Sequence, residues 1–157
     1  MMTTAEHLAL LRRIDECYRA LNGKGLYCPE DVEDRYLWLD QAAPYSILAH
    51  GNTSDPVFIY ANQCALRCFK YSYEEMLQLQ SRLSASPADR AERQKLLDIV
   101  TRDGIAKNYT GPRVDKQGNT FTIYDGEVWQ LGYNSGNVWG QAALFWPVPR
   151  KNTLYTQ

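Results

Sequence analysis

Asp55-Pro-Val-Phe-Ile-Tyr-Ala-Asn62 is the stretch that decides the fold of this chain. Pro56 cannot donate a hydrogen bond to a sheet, so it suits the first position of a strand. The residues from Val57 to Tyr60 are β-branched or aromatic, which favours a half-buried strand. Asn62 precedes a short run with helical spacing, and asparagine is among the best N-cap residues. The stretch predicts a strand, an asparagine cap and a short helix, rather than a ligand contact at Asn62.

The segments on either side of this stretch predict further short elements. Tyr45-Ser-Ile-Leu-Ala-His50 reads as a strand that pairs with it in a hairpin, across a turn rich in Gly, Asn and Ser. Ser72-Tyr-Glu-Glu75 has the spacing of a capping box and predicts one or two helical turns. Ser81-Arg-Leu-Ser-Ala85 is expected to be an irregular link. A longer helix then follows, with Ser86 as its cap, Pro87 at its first position and its end at Asp103-Gly104.

The N-terminal segment predicts two helices before the sheet. Thr3-Thr-Ala-Glu6 is another capping box, and Asn22-Gly23 is a typical helix end. The residues of the apolar stripe between them are Leu10, Leu11, Ile14, Cys17, Tyr18 and Leu21. This amphipathic helix, Thr4 to Leu21, covers either its own domain or a dimer partner. A second helix is expected from Pro29, with acidic residues in its first turn, to the stop at Ala42-Ala43-Pro44.

After Gly104 the apolar period changes to two, which predicts three antiparallel strands. They run from Ile105 to Val114, from Thr120 to Leu131 and from Val138 to Trp146, joined by turn-rich segments. Strict alternation in the middle strand would place Asp125 and Glu127 among apolar groups. A β-bulge at Asp125-Gly126 would relieve that conflict, and we favour it over a buried functional acid pair.

The last predicted strand is apolar on both faces. Val138, Ala142, Leu144 and Trp146 alternate with Trp139, Ala143 and Phe145. A sheet with one face in water does not show this pattern. The outer face is therefore expected to be covered, and the N-terminal helix, from this chain or from a partner, is the available candidate.

Composition limits the functions that the chain can have. Its 157 residues, 45% hydrophobic and 22% charged, fit one globular domain with an appended helix. The net charge of −1 gives no general attraction to nucleic acid or to anionic membranes. A signal peptide and a membrane-spanning apolar run are both absent from the sequence, so we expect a cytoplasmic protein without nucleic-acid or membrane partners.

The four cysteines are expected to be reduced thiols. Cys64 and Cys68 are four residues apart on one helical face, where two metal ligands would fit. Zinc needs further ligands, and His7 and His50 lie in other segments without ligand spacing. We expect buried structural cysteines and no metal site.

Several sequence blocks together resemble the MEKHLA family, a PAS-like group. The blocks are Asp55-Pro-Val-Phe-Ile-Tyr-Ala-Asn62, Ser81-Arg-Leu-Ser-Ala85, Tyr109-Thr-Gly-Pro-Arg113, Val128-Trp129 and Gly140-Gln-Ala-Ala143. The resemblance runs from about Tyr36 to Trp146. Family members occur as stand-alone bacterial and algal proteins and at the C-terminus of plant homeodomain leucine-zipper factors, but this chain has no homeodomain or basic zipper region.

The resemblance implies an α+β fold, with a five-stranded antiparallel sheet and short helices on one face. Together with the amphipathic helix it divides the chain into an N-terminal helical extension (1–35), a MEKHLA/PAS-like domain (36–147) and a C-terminal tail (148–157). It also implies a sensory or regulatory role, with a ligand space between the sheet and the helices. Flavin-binding PAS domains carry a reactive cysteine where this chain has Leu79 to Ser84, so a flavin-thiol adduct is disfavoured. Haem is disfavoured as well, because Ser86 to Gly104 contains no histidine. The cofactor stays unknown.

Candidate ligand-binding residues are those that close packing alone does not explain. They are Tyr60, Ser81, Arg82, Ser84, Tyr109, Arg113, Tyr124, Trp129 and Gln141. Arg82 with its neighbouring hydroxyls would hold an anion, or else pair with a nearby acid. Tyr109 and Arg113 share a strand face and line either a cavity or the outer surface. The large aromatic residues suit a planar ligand or simply fill the core, and Gln141 contacts a ligand ring or a strand neighbour.

We found no phosphate loop and no nucleophile elbow, so we expect no catalytic site. The leading hypothesis is a PAS-like module that binds a small apolar or aromatic molecule in its core. It would signal through a homodimer formed by the N-terminal helix and the outer sheet face. The alternative is a ligand-free protein-interaction domain. A third hypothesis, an NTF2-like enzyme, would need Asp125 and Glu127 to face a cavity.

Overall fold

The computed structural model describes residues 3–85 and 89–150 of the chain. One antiparallel sheet has the strand order β2-β1-β5-β4-β3. Its strands are β1 (Ser46–Gly51), β2 (Phe58–Ala61), β3 (Ile105–Val114), β4 (Thr120–Leu131) and β5 (Gly140–Trp146). The helices are α1 (Thr4–Asn22), α2 (Arg35–Gln41), α3 (Gln63–Phe69), α4 (Tyr73–Met76) and α5 (Arg90–Asp103), with 3₁₀ turns at Ser81–Ser84 and Tyr133–Ser135. The predicted α+β class and five-stranded sheet are confirmed.

Helix α1 begins and ends where the sequence predicted. Thr3 and Glu6 form the reciprocal capping box, and Gly23 closes the helix in the left-handed conformation, with φ 86°. The next helix does not begin at Pro29, so that prediction was wrong. It begins at Arg35, because the Asp34 side chain accepts a hydrogen bond from the Leu37 N–H at 3.1 Å. Residues 29–32 form a turn instead, in which the Val32 N–H donates to the Pro29 carbonyl at 3.3 Å.

Asn62 does more than cap α3. Its Oδ1 accepts hydrogen bonds from the Ala65 N–H at 3.1 Å and from the Ile47 N–H at 3.0 Å. Its amide nitrogen donates to the carbonyls of Leu39 (2.9 Å) and Tyr45 (3.0 Å). The side chain is fully buried, and both donors and both acceptor positions are used. Asn62 therefore joins α2, β1 and α3 at one point.

The predicted bulge in β4 is present. Pairing with β5 shifts register between Tyr124 and Glu127, and Asp125 has a φ of 51°. The extra residue reverses which side chains face which side of the sheet. Ile123 and Val128 accordingly pack on one side, whereas Trp129 packs on the other.

The two sides of the sheet carry separate apolar clusters. Leu144 and Trp146 of β5 belong to the cluster under α1 and α2, which we call the outer side. Phe145 packs against Phe69 of α3 on the opposite, inner side. The outer face of β5 is thus covered as expected, and the cover is the N-terminal helix of the same chain.

The 3₁₀ turn at Ser81–Ser84 replaces the irregular link that was expected there.

Two predictions concern residues outside the described ranges. The cap at Ser86 with Pro87 at the first helical position cannot be compared, and neither can the part of the C-terminal tail beyond Arg150. None of the helices within the described ranges is long and apolar enough to cross a bilayer.

Candidate functional site

A cavity of about 70 Å³ lies on the inner side, between the sheet and α5. We call it the inner cavity. Its walls combine apolar groups of β1, β4 and β5 with Leu96 and Leu97 of α5. Five of the predicted site residues line it, namely Ser81, Ser84, Tyr109, Arg113 and Gln141. The structure therefore gathers these five residues around one space, at the position where the resemblance placed a ligand.

Most polar side chains that line the inner cavity form hydrogen bonds with neighbouring protein groups. The Ser84 hydroxyl donates to the Ser81 carbonyl at 2.7 Å, and both residues are buried. The Gln141 amide nitrogen lies 3.4 Å from His50 Nε2, on the adjacent strand. Since Nδ1 of His50 lies 2.8 Å from the Gly51 carbonyl, we assign the ring proton to Nδ1, which leaves Nε2 as the acceptor. Gln141 thus bonds a strand neighbour, one of the two roles predicted for it.

Tyr109 and Arg113 share one acceptor at the start of α5. The Tyr109 hydroxyl donates to an Asp89 carboxylate oxygen at 2.8 Å, and Arg113 donates to the same oxygen at 3.2 Å. Arg113 also lies over the Tyr109 ring, 5.2 Å from its centroid. We call this set the Asp89 clamp. Burial raises the pKa of Tyr109, so its phenol stays protonated as a donor. The clamp fixes the N-terminal end of α5 to β3.

Large aromatic side chains leave little room in the inner cavity. Phe58, Phe69 and Phe145 are each almost fully buried along its walls. Pockets for drug-sized ligands usually measure about 300–1,000 Å³. The cavity as it stands holds only a few atoms, and a larger ligand requires movement of a wall.

The other four predicted site residues lie elsewhere. Arg82 is half exposed and pairs with Asp55 at 3.1 Å, which was the alternative considered for it. Tyr60, Tyr124 and Trp129 belong to the outer cluster. The Tyr60 hydroxyl donates to Asp40 of α2 at 2.6 Å. The structure does not bring these four residues to the inner cavity.

Trp129 is fully buried beneath α1. Its indole N–H donates to the carbonyl of Ile14 at 3.3 Å, and its ring meets that of Tyr18 edge-on, with centroids 4.7 Å apart. Sequence reasoning left two roles open for this ring, contact with a planar ligand or filling of the core, and the structure places it in the core. The β4 bulge turns it toward the N-terminal helix.

Asp15 is a buried carboxylate that sequence reasoning missed. It accepts hydrogen bonds from the Leu26 N–H (2.7 Å), the Tyr36 hydroxyl (2.8 Å) and two Arg35 nitrogens (both 3.1 Å). This network joins α1, the following loop and α2. The available signal is its position: Asp15 lies four residues after Leu11 and beside Ile14, within the apolar stripe, where a lone carboxylate needs partners.

The paired cysteines of α3 contact one hydroxyl. Ser46 lies 3.4 Å from the Cys64 sulfur and 3.8 Å from that of Cys68. Hydrogen bonds accepted from the Cys68 thiol and from Ser46 lower the pKa of Cys64. All four cysteines are free thiols. Within residues 3–85 and 89–150, no group of His, Cys, Asp and Glu side chains could hold a metal ion.

We expect the protein to lose stability as the pH falls from about 6.5 to about 5.5 because of His50. Burial lowers the pKa of His50, whereas an unfolded histidine titrates near about 6.5. In this window the unfolded chain binds a proton that the folded chain does not, so acid favours unfolding. Urea unfolding at both pH values measures the loss, and His50→Gln should reduce it. Equal losses in both proteins would contradict the assignment.

Comparison with known proteins agrees with this geometry. The family model described as the MEKHLA domain matches residues 8–148. No curated protein shows a significant match. A PAS domain from Colwellia psychrerythraea superimposes with a TM-score of 0.62 at 13% identity, covering 74% of this chain and 96% of that one. The dark structure of the LOV domain of the blue-light photoreceptor Aureochrome1 gives 0.57 at 19% identity, covering 79% and 90%.

A third match is the structure titled "Flavin Analogue Sheds Light on Light-Oxygen-Voltage Domain Mechanism", with a TM-score of 0.57 at 20% identity, covering 67% and 78%. At these sequence identities the superpositions show similarity of fold and nothing about function. The family match spans most of the chain and includes nearly all of α1. The chain belongs to the MEKHLA domain family and has a PAS-like fold.

Proposed function

We propose that the protein is a non-catalytic regulatory module that binds a small apolar or aromatic molecule in the inner cavity and signals through dimer or partner contacts. The observation that carries this proposal is the cavity itself. It is largely apolar, lies between the sheet and α5, and has a few polar side chains in its lining. Kinship with PAS and LOV modules supports a sensory role.

Helix α5 is the wall that would move. Its buried apolar contacts are few: Leu96 and Val100 pack against Ala106 and Val128. The Asp89 clamp adds polar contacts at its N-terminal end. A ligand larger than a few atoms would displace α5 and strain or break the clamp, which couples occupancy to the position of the helix.

Strand β5 contacts both the inner cavity and the apolar cluster under α1. Ala143 lines the inner cavity, whereas Ala142, its neighbour in the chain, lies in the outer cluster under α1. A change in β5 would therefore reach the surface where α1 packs. Because α1 covers the outer face, we propose that a homodimer or a partner responds to this change at the exposed side of α1.

Filling the inner cavity tests the proposal. Ala143→Leu adds three carbon atoms to the cavity wall, and we expect it to remove the rise in melting temperature that a bound small aromatic compound gives. The overpacked core should cost about 1–3 kcal/mol. Ala91→Leu, at an exposed position of α5, is the matched control and should keep the ligand response. A ligand response that survives Ala143→Leu unchanged would place the ligand elsewhere.

A second candidate function is a ligand-free interaction module. The observation in its favour is the small volume of the inner cavity, which Phe58, Phe69 and Phe145 fill. This function predicts a bare chain mass in a native mass spectrum of the purified protein and no ligand response in a screen of small aromatic compounds. A co-purified mass would favour the sensory function.

An NTF2-like enzyme finds less support. Asp125 and Glu127 do line one cleft on the outer side, as that hypothesis required. Each carboxylate already has a partner, however: Asp125 pairs with Arg150 at 3.3 Å, and Glu127 accepts from the Tyr18 hydroxyl at 2.7 Å. We propose that these acids position charged and hydroxyl groups rather than transfer protons.

A further inference from the structure

A second, larger cavity opens on the outer side of the sheet. It lies between the C-terminal end of α1, the loop after it and the bulged region of β3 and β4, and measures about 610 Å³. We call it the outer cleft. Its volume falls within the usual range of small-molecule sites, about 300–1,000 Å³, and is far larger than that of the inner cavity.

Aromatic side chains form one part of its mainly polar lining. Tyr18, Tyr45 and Trp146 are all nearly buried, and the rings of Tyr45 and Trp146 have centroids 5.0 Å apart. The hydroxyls are fixed, because that of Tyr45 donates to the Tyr27 carbonyl at 2.7 Å and that of Tyr18 donates to Glu127. Burial raises the pKa of both phenols. The aromatic part of the lining is therefore held in place, and its phenols are uncharged.

Two irregularities of the sheet meet at this cleft. Asn108 of β3 has a φ of 64° and Asp125 of β4 a φ of 51°, both left-handed, and both residues line the cleft. Each lies where the strand pairing shifts register. Bulges redirect side chains, and left-handed non-glycine residues cost free energy unless the surroundings hold them. The two bulges together therefore shape one wall of the outer cleft.

The charges around the outer cleft favour an anion. Three cations line it, Lys24, Lys107 and Arg150, against the two acids Asp125 and Glu127. Arg150 pairs with Asp125 at 3.3 Å, and Lys107 bonds Asn22 and lies 4.0 Å from Glu127. Among the described residues no carboxylate pairs with the exposed Lys24 ammonium. One cationic group is thus left for a ligand.

We propose that the outer cleft binds a small aromatic anion, with its ring against the aromatic lining and its negative group at Lys24. Such a ligand would contact α1, the loop after it and the sheet together. Its binding would therefore fasten the N-terminal helix to the sheet, independently of what the inner cavity holds.

The test uses a fluorescent aromatic sulfonate, 8-anilinonaphthalene-1-sulfonate, and its uncharged relative N-phenyl-1-naphthylamine. We expect the sulfonate to bind the native full chain, with an affinity that falls about three- to fivefold in Lys24→Gln. Lys95→Gln removes the same charge on the exposed face of α5 and should leave the affinity unchanged. The uncharged relative should bind more weakly and should not respond to Lys24→Gln.

Backbone amide NMR spectra locate the probe. Shift changes at Gly23, Gly25 and Asn108 would support the proposal, since all three line the outer cleft. Changes confined to the inner cavity, at Ser84 and Gly126, would overturn it. Absence of sulfonate binding, or equal binding by wild type and Lys24→Gln, would overturn it as well. Changes confined to the inner cavity would instead favour the inner-cavity function, which Ala143→Leu tests separately, whereas absence of sulfonate binding at the outer cleft leaves that function unaffected.

Discussion

Replacing Asn62 with alanine is expected to lower the free energy of unfolding by about 4 kcal/mol, because four buried backbone groups lose their partners together. The carbonyls of Leu39 and Tyr45 lose their donor, and the N–H groups of Ile47 and Ala65 lose their acceptor. The site is closed to water, since Asn62 is fully buried. Urea unfolding measures the change.

Two further variants sharpen this experiment. Ser72→Ala removes an exposed helix cap of the same kind and should cost only about 1 kcal/mol. Asn62→Asp keeps the oxygen that accepts from the backbone N–H groups, but it replaces the amide nitrogen with a second oxygen that faces the carbonyls of Leu39 and Tyr45. The buried acid is then stabilised in its protonated form, so the loss of stability should grow as the pH rises above about 4. Equal costs for Asn62→Ala and Ser72→Ala would show that Asn62 acts only as a cap.

Trp129→Ala is expected to cost about 3–5 kcal/mol and to loosen α1 from the sheet. The substitution removes a fully buried ring and the indole hydrogen bond to Ile14, and it leaves Tyr18 without its ring partner. Urea unfolding gives the total cost. Amide hydrogen exchange along α1 shows whether the helix opens before the rest of the domain.

Trp139→Ala is the matched control for that change. Trp139 is only partly buried, and the guanidinium of Arg13 lies 4.2 Å from the centroid of its ring. Its removal should cost less and should raise exchange in α1 less than Trp129→Ala does, because its ring is only partly buried and lies against Arg13 of the helix. Similar costs for both tryptophan variants would contradict the role that we assign to Trp129 beneath the helix.

The fold was largely readable from the sequence because its signals are local. The capping box at Thr3 and Glu6, the Asn62 cap and the bulge at Asp125 each depend on residues that are neighbours in the chain. The prediction at Pro29 failed although its signal was also local. Only one residue between 30 and 33, Val32, is apolar, so a helix there would have had little to bury.

The candidate site was harder to predict, because it depends on which side of the sheet each strand residue faces. Five of the candidate residues line the inner cavity, whereas Tyr60, Tyr124 and Trp129 lie on the other side of the sheet. The bulge itself was predicted, but no local pattern indicates which helices cover each face. The partners of Asp15 are 11 to 21 residues away in the chain, beyond the reach of spacing rules.

The cover that α1 provides over the outer face has a practical consequence for recombinant versions of this domain. A shortened chain that starts at residue 36 would lack α1 and would expose Trp129, which now lies fully buried against Ile14 and Tyr18 of that helix. Such a surface attracts chaperones and other copies of the chain, and poor yield would then be mistaken for a loss of function. An expressed chain that begins before Thr3 keeps all of α1 and therefore keeps the outer face of the sheet covered.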